Sequence, residues 1–244
     1  MKYCFKVLHD ERNISRSDHV VRTILKNRVH QHLNNFAETI NSKTITIDDE
    51  EKLKAYYLNN KNAKVHPEGY TGWEGIKGWK YGELGIWASN IEAWLEFKNN
   101  DSDLLIVFED DVEIRDNFVD LLPTYINSLP KDWEVFSIYT SVFEWNKYKE
   151  EYSLGEDSPI AHSFHEVNLA CYIINKKFVN KILDILKDKP IDEPIDLYIF
   201  GHPRKFNSYD LKLNVPQIVK RQYIVPSTFQ NSQAIMSMDC LKDE

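Results

Sequence analysis

The residues best suited to chemistry are three adjacent carboxylates, Glu109, Asp110 and Asp111, at the end of the apolar run in LLIVFEDDVEI (104–114). Like charges side by side repel one another unless a cation or solvent compensates. Carboxylate oxygens are hard ligands that suit Mg²⁺ or Mn²⁺. Mg²⁺ is usually held by one or two carboxylates together with substrate phosphates. On an extended backbone Glu109 and Asp111 point to one side and Asp110 to the other. The outer pair is therefore expected to face a metal, and Asp110 to pin neighbouring backbone or a nucleotide sugar. The plainer account of the triplet is a solvated turn that caps the helix after Asp116.

Other candidates are scattered. Arg16 follows the first strand and could meet a diphosphate, while Arg12 reads better as surface charge. Trp73 and Trp79 lie in HPEGYTGWEGIKGWKYG (66–82), where stacking on a sugar or base competes evenly with simple loop packing. Asp192 and Asp196 open a Pro-punctuated helix in PIDEPIDLYIF. His66, His162, His165 and His202 fall in loops and carry no assignment.

These residues need a scaffold, and the chain spells one out. YCFKVL (3–8) reads as a first strand, and a helix follows from about Arg16 to Arg28. KTITI (43–47) alternates as a short strand, and DDEEKLKAYYLNN starts a helix with acid. Residues 66–82 hold five glycines and read as a mobile loop. ELGIWASNIEAWLEFKNN has the spacing of a buried helix. The acidic strand, a helix with an internal proline (NFVDLLPTYINSL) and a strand in WEVFSIY come next. Residues 144–165 are polar and read as a mobile excursion. A strand at 169–174, an amphipathic helix at 176–187 and an extended segment around Gln217 to Gln222 complete the pattern. Such alternation predicts an α/β fold with a mainly parallel central sheet flanked by helices. Ligands in such sheets bind beyond the carboxyl ends of the strands, where the three acids sit. No linker or repeat divides residues 1–244, so a single domain is expected, with a tail from about 232 loosely ordered.

Composition narrows the function. At 42% hydrophobic and 13% aromatic residues, the chain can build a real core. No apolar run approaches the ~18 residues of a membrane span, and the N-terminus lacks a signal-peptide pattern. A cytoplasmic location is the expectation. The net charge of −8 argues against a general nucleic-acid binder. Cys4, Cys171 and Cys240 show no metal or disulfide spacing. Frequent Lys, Asn and Ile fit an AT-rich genome, such as that of a phage.

Together, GELGIWASNIEAW (82–94), the nearby LLIVFEDDVEI, ACYIINKKFVNKIL (170–183), EPIDLYI (193–199) and VPQIVKRQ (215–222) resemble, in order and spacing, the motifs of glycosyltransferase family 25. The family includes lipopolysaccharide and collagen galactosyltransferases. EDD resembles its variant of the DxD metal motif, EPIDLYI its Pro-Val-Asp motif, and VPQIVKRQ its tail with a Gln. Asn90 stands where the family usually has His. VLHDERNISR stands where it commonly reads Asn-Leu-Asp-Arg.

The resemblance implies a GT-A-like (Rossmann-like) domain and an enzyme dependent on Mn²⁺ or Mg²⁺. Its donor would be a UDP-sugar and its mechanism inverting. Glu109 and Asp111 would hold the metal. Asp110 and Gln222 would contact the donor. From their residue types and places alone, Arg16 is expected to join them and Trp73 and Trp79 to meet the acceptor. Asp196 would be the general base, with Asp192 next in line, although an N-cap explains Asp196 as well. The acceptor would be a glycan of the lipopolysaccharide kind, or a hydroxylated base in DNA if the source is a phage. A catalytically silent sugar-binding module, suggested by Asn90, is the alternative. A metal-dependent nuclease or phosphatase would need a second metal-ligating set, which the sequence does not offer.

Overall fold

The computed structural model describes residues 1–8, 19, 50–61, 63–71, 77–139, 154–163, 169–201, 205–221 and 235–236. The elements expected at 16–28 and 43–47 lie outside them, as does much of 144–165. In chain order the elements begin with β1 (Tyr3–Leu8), α1 (Glu50–Asn59), β2 (Tyr70–Thr71), β3 (Lys77–Lys80) and α2 (Tyr81–Asn99). Next come β4 (Leu104–Glu109), β5 (Val112–Ile114), α3 (Phe118–Asn127), β6 (Val135–Ser137) and β7 (Ile160–His162). The chain continues through β8 (Cys171–Asn175), α4 (Lys176–Asp188), a π-helical turn (Leu197–Gly201), β9 (Ser208–Leu211), β10 (Val219–Arg221) and β11 (Ile235–Met236).

A six-stranded sheet in the order β1-β4-β8-β6-β9-β7 forms the centre. β1 runs parallel to β4, and β6 parallel to β9. β8 runs antiparallel to both β4 and β6, and β7 antiparallel to β9. Strands β1, β4, β6 and β9 thus share one direction, and β8 and β7 oppose it. The sheet is mixed in its pairing and mainly parallel in its strand directions. The LLIVF run is explained by burial on both faces of the sheet. Leu105 and Val107 join a core with Trp87, Trp94 and Phe178 from α2 and α4. Leu104, Ile106 and Phe108 join a second core with Phe118 and Leu122 from α3.

Helix α2 forms because Leu84, Trp87, Ala88, Ile91, Trp94 and Phe97 recur at helical spacing and are all buried. Its start is secured by Glu83, whose carboxylate accepts the Lys80 backbone N–H at 3.0 Å. A carboxylate there also suits the helix dipole. Asn90 is fully buried in α2: its amide donates to Ile86 O at 2.8 Å, and its Oδ1 accepts from the Tyr172 hydroxyl. Tyr172 in turn accepts the Trp94 indole N–H at 3.0 Å. Every member is satisfied, so Asn90 ties α2 to β8.

The described parts of the glycine-rich segment, 66–71 and 77–82, differ from the expected mobile loop. β3 pairs antiparallel with β2 on one side and with β11 on the other, so two residues of the expected loose tail form a strand. Gly69 has φ of 71°, and a Cβ there would lie 2.5 Å from the Gly78 carbonyl carbon. Glycine is required at that close approach of two backbones. Tyr70 packs against Trp79, with ring centroids 5.4 Å apart. Trp79 is 0% exposed, and its indole N–H donates to His66 O at 2.9 Å. The expected acceptor contact of Trp79 is therefore corrected: the ring is core, with no face open to a sugar.

Candidate active site

β4 delivers the three acids to the carboxyl end of the sheet, where the Glu109 N–H donates to Ala170 O at 2.8 Å. The chain then turns through Asp110 and Asp111 into β5, which pairs with β10. Asp110 and Asp111 are buried, while the Glu109 side chain keeps 23% exposure. The β10–β5 register sets Arg221 opposite Val112. From there Arg221 donates through Nε to Asp111 Oδ2 at 2.7 Å, and its Nη2 lies 3.6 Å from Glu109 Oε2. One guanidinium reaches both outer acids across the turn between β4 and β5.

The electrostatics of this end are unusual. Burial pushes the Glu109 carboxyl up to about 7 and outweighs the pull of Arg221, while Asp111, Asp110 and Asp196 push the same way. Asp196 comes from a distant part of the chain, yet its charge is felt at Glu109. Burial raises Asp196 itself to about 6, against backbone hydrogen bonds from Leu197 and from its own N–H. Glu83 and Glu193 add to the rise. The Leu197 N–H donates to Asp196 Oδ1 at 2.9 Å. Helix α2 holds this segment: the Trp87 indole N–H donates to Glu193 O at 3.0 Å, and Trp87 meets Tyr198 edge-on at 5.1 Å.

Glu83 and Tyr70 join the same neighbourhood. The Tyr70 hydroxyl donates to Glu83, and the charges of Glu83 and Asp196 add to the burial that raises Tyr70. Asp192, by contrast, is exposed, and its charge acts on Tyr198 and Lys205. Arg16, Gln222 and Trp73 lie outside the described residues. Asp196 thus acts on Glu109 through its charge, while Asp192 acts on Tyr198 and Lys205.

Sequence reasoning missed Arg221, Glu83, Tyr70 and His19. His19 Nε2 lies 3.2 Å from Val112 O, so the N-terminal part of the chain reaches the acidic turn. In the sequence Arg221 is visible only as part of the VPQIVKRQ tail. Its role depends on the β10–β5 pairing, which joins segments far apart in sequence.

The acidic end fits a divalent cation in its donor chemistry. Asp111 Oδ1 is buried and has no hydrogen-bond partner among the described residues. Such an oxygen is costly to bury unless something meets it. No group of three or more metal-ligating side chains occurs among the described residues. A Mg²⁺-like ion held by two carboxylates and completed by phosphates and water needs no third.

Against this geometry, the family comparison is specific. The model of glycosyltransferase family 25, described as an LPS biosynthesis protein, matches residues 11–199. The chain belongs to glycosyltransferase family 25. A Haemophilus influenzae protein named "Putative glycosyltransferase" is 23% identical over 145 residues, 59% of this chain and 50% of the relative. The match therefore spans about half the length of that curated relative. A crystal structure of a protein from STIV is similar at a TM-score of 0.37 and 16% identity, covering 62% of this chain and 75% of that one. Among the described residues no helix is long and apolar enough to cross a membrane.

Proposed function

We propose that this chain transfers a sugar from a UDP-sugar donor to an acceptor hydroxyl, with inversion, at the carboxyl end of β4. The observation that carries the reading is the buried acidic turn at the end of β4, where Asp111 Oδ1 has no hydrogen-bond partner among the described residues. The charge of Asp196, from the EPIDLYI segment, also acts on Glu109, which supports assigning both motifs to one site.

Glu109 and Asp111 would hold Mn²⁺ or Mg²⁺. When bound, the ion would neutralise charge on the departing diphosphate. Asp110, buried at the turn, would fix the backbone that carries both ligands. Asp196 would take the proton of the acceptor hydroxyl. Its Oδ1 accepts the Leu197 N–H, which fixes the orientation of the carboxylate. The acceptor oxygen would then attack the anomeric carbon from the face opposite the phosphate. The anomeric C–O bond to the diphosphate breaks, UDP leaves with the electron pair, and the proton passes from Asp196 to solvent. A carboxyl raised to about 6 is a better base than an ordinary aspartate and is still ionised near neutrality.

The description of the family as LPS biosynthesis proteins supports a glycan acceptor over a modified DNA base. The net charge of −8 weighs the same way. The silent-module alternative loses its motive in part, because Asn90 has a packing role of its own. UDP release from a panel of UDP-sugars in Mn²⁺, with and without oligosaccharide acceptors, tests the proposal. A silent module gives no release with any donor.

A further inference from the structure

Arg221 sits where a divalent cation is proposed to sit. Its Nε bonds Asp111 Oδ2 at 2.7 Å and its Nη2 lies 3.6 Å from Glu109 Oε2. The position is set by backbone pairing, since Lys220 and Arg221 are opposite Glu113 and Val112. Successive residues of a strand face opposite ways. Lys220 accordingly pairs with Glu113 at 3.2 Å, and Arg221 turns to the acids. The Asp111 side chain is 7% exposed, and those of Glu109 and Arg221 are each 23% exposed. A buried carboxylate beside two others needs a positive partner. Guanidinium and metal ion satisfy the same two groups, and a guanidinium is also suited to phosphate.

We propose that Arg221 is the resident counter-cation of the acidic strand end, exchanging with the divalent metal for Glu109 and Asp111 and passing to the donor's diphosphate as the metal loads. The proposal rests on the donor-site reading above. The exchange is neutral in design. Before loading, the guanidinium keeps the acids from repelling one another. After loading, the metal does so, and the displaced guanidinium pairs with a phosphate oxygen that arrived with it. An incoming metal alone meets a site already filled by a cation. Metal together with UDP meets a site whose cation has somewhere to go. Metal and nucleotide should therefore bind cooperatively.

The test uses the full chain, with Mn²⁺ binding read by electron paramagnetic resonance and UDP binding by calorimetry. In Arg221→Met, Mn²⁺ alone should bind about fivefold more tightly than in the parent, and UDP in saturating Mg²⁺ about fivefold more weakly, the upper scale of one partly exposed charge pair. Loss of a neighbouring positive charge alone would produce both changes, so a second readout follows the exchange directly. The hydrogen-bonded Nε–H of Arg221 should give a distinct NMR peak in the parent, assigned by its absence in Arg221→Lys, which keeps the charge and guards against a variant that fails to fold. That peak should move on adding Mg²⁺ with UDP and stay with UDP alone. A peak unmoved by Mg²⁺ with UDP, or Mn²⁺ binding no tighter in Arg221→Met, overturns the exchange. If the parent binds neither Mn²⁺ nor UDP, the donor-site reading falls and takes this proposal with it. Binding of both with an immobile Arg221 peak sinks the exchange alone.

Discussion

Trp87 donates its indole N–H to the backbone carbonyl of Glu193 at 3.0 Å, three residues before Asp196. The family-signature helix α2 thereby holds the segment that carries the proposed base. Trp87 also packs edge-on against Trp94 and Tyr198, so the helix, the π-helical turn and the network around Asn90 are packed into one unit.

Replacing Trp87 with Phe keeps an aromatic ring but removes the donor and leaves a void. Destabilisation of about 2 kcal/mol is expected from the lost hydrogen bond and the incomplete packing. Urea denaturation checks this. Turnover should fall more than donor affinity does, because the acids proposed to hold the metal are carried by a different element. Equal losses in both would remove the positioning role from Trp87.

Asp196→Asn should lower transfer by ~10²-fold or more while donor binding stays near the parent's, the usual scale of a general base. In the parent, turnover should fall as pH drops through about 6, because the raised carboxyl loses its basic form there. The residual activity of Asp196→Asn should lack that limb. A stopped pH series on both proteins is the check. Near-parental turnover in the variant would move the base elsewhere.

Asp210 offers a test of stability separate from catalysis. It is buried in β9, accepts a hydrogen bond from Ser163, and burial pushes its carboxyl up to about 7. A folded value above the unfolded one of ~4 means the native state holds the proton more tightly. The stabilisation is complete below the unfolded value and is lost as pH rises through the folded one. Asp210→Asn should therefore stabilise the fold at pH 8 by on the order of 2 kcal/mol and change little at pH 4.5. Melting curves at the two pH values decide it, and a variant less stable at pH 8 would contradict the assignment.

Much of the sheet was legible because burial on two faces leaves an unbroken apolar run, as in LLIVF and CYII. Helices α2 and α4 were legible from their periodicity. The direction of β8 was not, since parallel and antiparallel buried strands look alike in sequence. β9 was missed because SYDL carries a buried aspartate, which masks its strand character. The glycines of 66–82 were read as mobility, yet Gly69 serves a backbone contact with Gly78 that no local pattern announces. At the site, adjacency gave Glu109, Asp110 and Asp111, while Arg221 depended on pairing between distant strands. Trp79 was misjudged for a related reason: a tryptophan among glycines is exposed only if the hairpin stays open.

Glu109 and Asp111 are proposed to hold a divalent ion that would stabilise the departing diphosphate of a nucleotide sugar. The most direct measurement is UDP release from UDP-sugars by the parent and by Asp111→Asn, each in Mn²⁺ and in excess chelator. The account predicts release from at least one UDP-sugar by the parent in Mn²⁺, loss of that release in chelator, and a loss of ~10²-fold or more in Asp111→Asn with the fold intact by circular dichroism. Release that persists in chelator, or parental release by Asp111→Asn, would contradict it.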